Sequence, residues 1–202
     1  NGVLVPKRDL VDTMARAAWV RYSLDAGLAT TYSKIRSVPE SQYYEALRAI
    51  RETRDARERL GTDCVIGVGF VVTPDNWLEV YEAACMAQDC GADNIRISAQ
   101  FSSQDEQLFA GFHEDCAALC KQAENLSRPG FTVYNRFGQK LDDLRQKAPD
   151  YDLCGYQFFT TYVGADLNVY RCCVLAYNER GIIGSLKTQR LRDLWLSQAR
   201  AD

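Results

Sequence analysis

The sequence predicts an α/β protein: a partial (β/α) barrel of parallel strands over residues 1–150, then a small antiparallel hairpin-plus-helix appendage over residues 151–202. Three observations carry that expectation. The stretch "CVIGVGFVVT", Cys64 to Thr73, is nearly unbroken apolar sequence, as expected of a parallel strand buried on both faces. Strand-like and helix-like segments alternate along the first part of the chain, and repeated βα order implies parallel pairing with right-handed crossovers. After Pro149 the period changes to two in "YQFFTTYVGADLNVYRCC", the pattern of an antiparallel hairpin.

The elements follow in order. "WVRYSLDA", Trp19 to Ala26, is a β-branched and aromatic run that reads as a strand. A helix from about Ser41 to Leu60 puts Tyr43, Leu47 and Ile50 on one face, and Gly61 is placed to close it. The apolar strand comes next. Asn76, with Glu79 three residues on, reads as a capping box for a helix that turns Trp77, Val80, Tyr81, Ala84 and Cys85 inward and ends at Gly91. "NIRISAQF" is the following strand. Ser103 and Glu106 form a second capping box, for a helix running past Cys120 with Phe109, Phe112, Cys116 and Leu119 inward. "FTVYNRF" is a further strand, with a short helix near Leu141 to Gln146 behind it. In the appendage the hairpin turns at Ala165 to Asn168, and "LRDLWLSQARAD" closes the chain as a short helix. Both ends read as cut: "NGVLV" starts on residues typical of a strand's end, and about four of the eight βα units of a full TIM-like barrel are visible.

Composition narrows the function. The chain is 47% hydrophobic and 25% charged with a formal charge of -3, which is ordinary globular composition with no electrostatic footprint for nucleic acid. No apolar run approaches the roughly 20 residues of a membrane span, and "NGVLVPKRDL" lacks the apolar core of a signal peptide. The eight cysteines do not read as a secreted disulfide framework, since Cys85, Cys116 and Cys120 sit inside helical patterns. Reduced thiols, an iron–sulfur or zinc site, and a cytoplasmic location are expected.

Adjacent Cys172 and Cys173 end an alternating run. Neighbours on a regular strand point to opposite faces, so Cys172 shares a face with Asn168 and Tyr170, and Cys173 with Val169 and Arg171. One faces a site while the other packs. Ser23 and Asp25 lie at the carboxyl end of a strand, where a βα barrel carries its active site, and Ser98 and Gln100 point to the same mouth. The plain alternatives are turn and capping roles for Ser23 and Asp25, a surface position for Arg36, and packing for the cysteines.

These residues resemble the C-terminal part of a radical S-adenosylmethionine (SAM) enzyme with a SPASM or twitch-type auxiliary-cluster segment. "NG" at Asn1 and Gly2 is similar to the end of that family's "TNG" strand, "VRYSLDA" to its V-x-x-S-[IL]-D strand, and "TTYSKIRSV" to its Y-x-x-I-R-G turn, with Ser37 in place of glycine. "IGVGFVVTPDNWLEV" and "GADNIRIS" are similar to its fifth and sixth strands. "CGYQFFTTYVGADLNVYRCC" with "GIIGSL" and "LRDLW" resembles the start of a SPASM segment, in which a cysteine precedes a D-G-x-V-x-x-C hairpin; here Leu167 stands where that pattern has glycine. The C-x-x-x-C-x-x-C loop that defines the family occurs nowhere in the chain.

The resemblance implies a role for each position. Ser23, with Asp25 beside it, would lie near the ribose or methionine part of SAM, and Arg36 would pair with the methionine carboxylate. Ser98 would line the same mouth. Cys154 and Cys172 would supply auxiliary-cluster ligands, with Cys173 an alternate ligand or a packed thiol, and the other ligands would come from outside this chain. A reduced pair or a Cys154–Cys172 disulfide stays open. In the parent enzyme a 4Fe–4S cluster would cleave SAM reductively to a 5′-deoxyadenosyl radical that abstracts hydrogen from a peptide or small-molecule substrate. The chain alone would be inactive. The alternative is a cluster-free βα scaffold or binding module with structural cysteines.

Overall fold

Ile66, Val68, Phe70 and Val72 alternate along the central strand and are all fully buried, whereas Val65 and Val71 on its other face stay 45% and 37% exposed. The expectation of burial on both faces is therefore corrected. One face takes the helices; on the other, Gly67 and Gly69 interrupt the apolar run. The computed structural model describes residues 2–5, 8–100, 108–138 and 154–198. The chain divides into two compact units, Asn1–Lys147 and Ala148–Asp202.

The first unit runs α1 (Arg8–Ala15), β1 (Trp19–Ser23), α2 (Ala29–Arg36), α3 (Ser41–Leu60), β2 (Val65–Val72), α4 (Val80–Asp89), β3 (Asn94–Ala99), α5 (His113–Glu124) and β4 (Thr132–Asn135). Its strands are all parallel, in the order β1-β2-β3-β4. An order that never doubles back is that of a barrel wall; a doubly wound sheet reverses at a switch point. This is an α/β fold consistent with a partial (β/α) barrel.

Why the sheet holds is legible in its alternation. Tyr22, Ile66, Val68, Phe70, Ile95 and Ile97 turn to the helix side and are buried. Full burial of such side chains contributes about 1.5–3 kcal/mol each. Helix α4 meets them with Val80, Ala83, Ala84 and Ala87, a stripe at helical spacing whose small residues let it sit close. Helix α3 ends as expected, with Gly61 at φ +62° donating its N–H to the Arg57 and Glu58 carbonyls. Inside, the Tyr22 and Thr53 hydroxyls are 2.6 Å apart, so neither buried oxygen is orphaned.

The register assigns the opposite face. Arg21 lies in one row with Gly67 and, beyond it, Asn94, while Ser23, Gly69, Arg96 and Tyr134 form the next row across the four strands. Ser98 lies one row further on, beside Val71.

The second unit is an antiparallel sheet of β5 (Tyr162–Val163), β6 (Asn168–Tyr170) and β7 (Ile182–Ser185), followed by α6 (Leu191–Trp195). Val169, Ile183 and Leu194 form its core. The turn between β5 and β6 is built by Asp166, whose carboxylate accepts the Tyr170 hydroxyl at 2.6 Å, the Asn168 backbone N–H at 3.1 Å and the Asn168 amide at 2.8 Å. Leu167 sits there at φ +63°. The Ser103–Glu106 capping box, the helix near Leu141 to Gln146 and the boundary at Asp150 lie outside the described residues.

Candidate functional site

The mouth of the sheet is built by two loops tied to each other. Strand β1 ends at Ser23, and the chain then passes through Leu24, whose N–H still bonds to the Gly69 carbonyl at 3.0 Å. Asp25 follows in the left-handed region at φ +57°. Its carboxylate accepts the Val71 N–H at 2.9 Å and pairs with the Arg36 guanidinium at 2.7 Å. Burial pushes the Asp25 carboxyl up, against the opposing pull of the Val71 amide and of Arg36.

Arg36 closes the last turn of α2 and reaches back to the strand end. The same nitrogen that meets Asp25 also donates to the Ser23 carbonyl at 2.8 Å, and the guanidinium stacks 5.3 Å from the Tyr32 ring. Its Nε is buried with no acceptor among the described residues. Arg36 is thus not the freely exposed side chain of the plain alternative: both side chains of the pair are about one-fifth exposed. Ser37 then ends α2 in the left-handed region at φ +53°.

Asn76 and Glu79 come to this loop from the far side of β2. The Asn76 amide donates to the Asp25 carbonyl at 2.9 Å and the Val71 carbonyl at 2.8 Å, while its oxygen accepts the Thr73 N–H. Glu79 accepts the Gly27 and Leu28 N–H groups at 2.8 and 3.0 Å and the Thr31 hydroxyl. Gly27 and Leu28 lead into α2 and Thr31 lies in its first turn, so Glu79 anchors the start of another helix. The capping-box reading is corrected: Asn76 makes no cap hydrogen bond to the 3-10 turn Trp77–Glu79. No local signal separates the two uses, because the true partners lie some fifty residues away.

The structure brings Ser23, Asp25 and Arg36 together and puts Ser98 on the same sheet face. The hydroxyls of Ser23 and Ser98 make no hydrogen bond among the described residues. Ser23 is exposed and Ser98 half-buried.

In the second unit the cysteines depart from the alternation argument. Strand β6 stops at Tyr170 with a register slip between Val169 and Tyr170. Cys172 is extended at φ −157°, and Cys173 opens a 3-10 turn, Cys173–Leu175. The regular strand that would put the two thiols on opposite faces ends before either. Cys154 and Cys173 are exposed, Cys172 is half-buried, and all three are free thiols. Among the described residues no group of three or more His, Cys, Asp or Glu side chains could hold a metal. The other five cysteines include four that are buried, Cys64, Cys90, Cys116 and Cys120, in keeping with packing. No described helix is long and apolar enough to cross a membrane.

No model of a protein family and no curated protein matches the sequence. The fold is similar to the crystal structure of Streptococcus suis SuiB, with a TM-score of 0.60 and 10% sequence identity over 98% of this chain. The chain spans 48% of that protein's length. At this identity the likeness is one of fold.

Proposed function

We propose that the chain is part of a radical SAM enzyme with a SPASM or twitch-type segment, and that the loops at the carboxyl ends of β1 to β3 hold SAM. The observation that carries this is an agreement between motif and backbone. At two positions the family-like motifs have glycine and this sequence does not, Ser37 and Leu167, and both adopt left-handed φ, +53° and +63°. Non-glycine residues rarely do so. The agreement supports the alignment of both motifs, one in each unit.

The residues at the mouth suit SAM in two respects. Ser23 and Ser98 offer uncommitted hydroxyls to the ribose or methionine part, and Arg36 has a buried donor, Nε, that lacks an acceptor such as a carboxylate. Asp25 holds the Arg36 fork in place. Bound SAM would supply a 5′-deoxyadenosyl radical, formed with a 4Fe–4S cluster, and the chain's own residues would bind, orient and exclude water. The auxiliary cluster is another matter. Cys154, Cys172 and Cys173 do not by themselves make a ligand set, so no step is drawn through it; Cys154 with Cys172, or Cys173 as alternate, would share it with residues beyond this chain. A peptide or small-molecule substrate and a cytoplasmic location belong to the same reading.

The reading frame that encodes the chain tests it. A C-x-x-x-C-x-x-C loop is expected upstream of Asn1 and more cysteines beyond Asp202. The product of that frame, reconstituted anaerobically with iron and sulfide, is expected to release 5′-deoxyadenosine from SAM under dithionite. A frame without the loop, or a product that never cleaves SAM, leaves the cluster-free scaffold as the better reading.

A further inference from the structure

Among the described strand residues, the face of the sheet opposite the helices is charged in one sign only. Arg21 and Arg96 are both exposed on it, and no strand residue of this face is Asp or Glu. The chain as a whole is net acidic, so this is a segregation rather than an average. Neither guanidinium has an acidic partner among the described residues; Arg21 only approaches the exposed Trp19 ring, at 5.7 Å. Unpaired arginines that present a flat fork of donors suit a carboxylate.

The floor between them is cut away. A Cβ at Gly67 would lie 2.8 Å from Asn94 Oδ1 and 3.6 Å from Arg21 Nε, and one at Gly69 would lie 3.6 Å from Arg21 Cδ. Arg21 therefore leans over β2 through space that side chains there would fill. Glycine inside a strand marks a place where another backbone or a ligand comes close. Neighbouring strands are about 4.8 Å apart, so Arg96 on β3 stands about 10 Å across from the β1 backbone, beyond that trough. At the trough's edge the buried Asn94 Oδ1 has no hydrogen-bond donor among the described residues.

We infer that this face binds an acidic peptide, with Arg21 and Arg96 taking its carboxylates over Gly67 and Gly69. The peptide is favoured over a simple oxyanion by the one unmet need beside the arginines: the guanidinium groups offer donors to a carboxylate, the buried Asn94 Oδ1 lacks an N–H, and a peptide brings both. Exposed Trp19 and Tyr134 give apolar surface at the two sides. As a statement about the enzyme's substrate this rests on the reading above; as a statement about binding it does not. SAM response and peptide binding are measured separately, so each can fail alone.

The test uses this chain with a blocked hexapeptide alternating Glu and Ala, its Gln counterpart, and inorganic phosphate as a third probe, followed by amide NMR at low salt. The Glu peptide is expected to shift the Arg21, Gly67, Gly69, Asn94 and Arg96 amides saturably, with the Gln peptide at least tenfold weaker. Arg21→Gln and Arg96→Gln are each expected to weaken the Glu peptide by about tenfold, and both residues are exposed, so the fold tolerates them. Equal binding of the Glu and Gln peptides, or no loss in the double variant, overturns the inference. Phosphate that saturates the same amides as tightly as the Glu peptide overturns the peptide part.

Discussion

The Glu79 carboxylate caps the Gly27 amide at 2.8 Å, joining the loop after β2 to the loop after β1. The same carboxylate takes the Leu28 N–H and the Thr31 hydroxyl, so it ties down the chain where it enters α2. Glu79→Ala is expected to destabilise the chain by about 1–3 kcal/mol, since a charged acceptor of backbone N–H groups is lost and those groups go unpaired. Glu79→Gln keeps an acceptor and should lose less. Urea unfolding followed by circular dichroism measures both; an unchanged midpoint in Glu79→Ala would show that water replaces the cap.

Two substitutions should stabilise. Ser37 and Leu167 both occupy left-handed backbone, and both are exposed, Leu167 by 46%. Ser37→Gly and Leu167→Gly each relieve that strain against the entropy that glycine adds to the unfolded chain, for a net gain of about 0.5–1 kcal/mol. Thermal unfolding of the two single variants reads the sign. A loss at either position would mean that the side chain's contacts outweigh its backbone strain.

The sequence made the elements legible where one local force decides them. The strand β2, the helix α3 with its Gly61 end and the hairpin around Asp166 follow from apolar period and turn chemistry. What it hid was decided at a distance. Asn76 and Glu79 carry a helix-start pattern, yet their partners are Asp25, Gly27 and Thr31. Cys172 and Cys173 carry a strand pattern, yet the register slip at Val169 and Tyr170 ends the strand first. The open face was hidden by composition: "CVIGVGFVVT" looks apolar on both sides, and only pairing with Arg21 and Arg96 reveals a polar one. Helix α1 was not anticipated at all.

Acid should loosen the hairpin first. Hydrogen bonds from the Tyr170 hydroxyl, and from Asn168, hold the Asp166 carboxyl below its ordinary value against a lesser opposing effect of burial. A carboxyl lowered on folding contributes stability above its unfolded pKa, and that contribution fades as pH falls through the folded value. Amide protection in β5 and β6, taken relative to the intrinsic exchange rate at each pH, is therefore expected to fall below about pH 4, and Asp166→Asn should flatten that dependence. Equal pH dependence in the variant would assign the effect to another group.

The cysteines should sort by exposure. Burial raises the thiols of Cys64 and Cys90, and a hydrogen bond that the neutral Cys120 thiol donates to Cys116, followed by burial, raises Cys120. In the native chain a thiol-reactive disulfide is expected to label Cys154 and Cys173 first, and to reach Cys64, Cys90, Cys116 and Cys120 only on unfolding. Peptide mapping after timed labelling reads the order, and early labelling of Cys116 or Cys120 would contradict the packing around α5.

The measurement that bears most directly on the proposed function is an amide NMR titration of this chain with SAM, repeated for Arg36→Ala. Saturable shifts are expected in Ser23 to Ser37, in Val71 to Glu79 and at Ser98, with affinity in Arg36→Ala weaker by on the order of 2 kcal/mol, the loss expected of a charge-assisted pair. No shift in those loops at millimolar SAM, or the same affinity without Arg36, would contradict a SAM site at the mouth of this sheet.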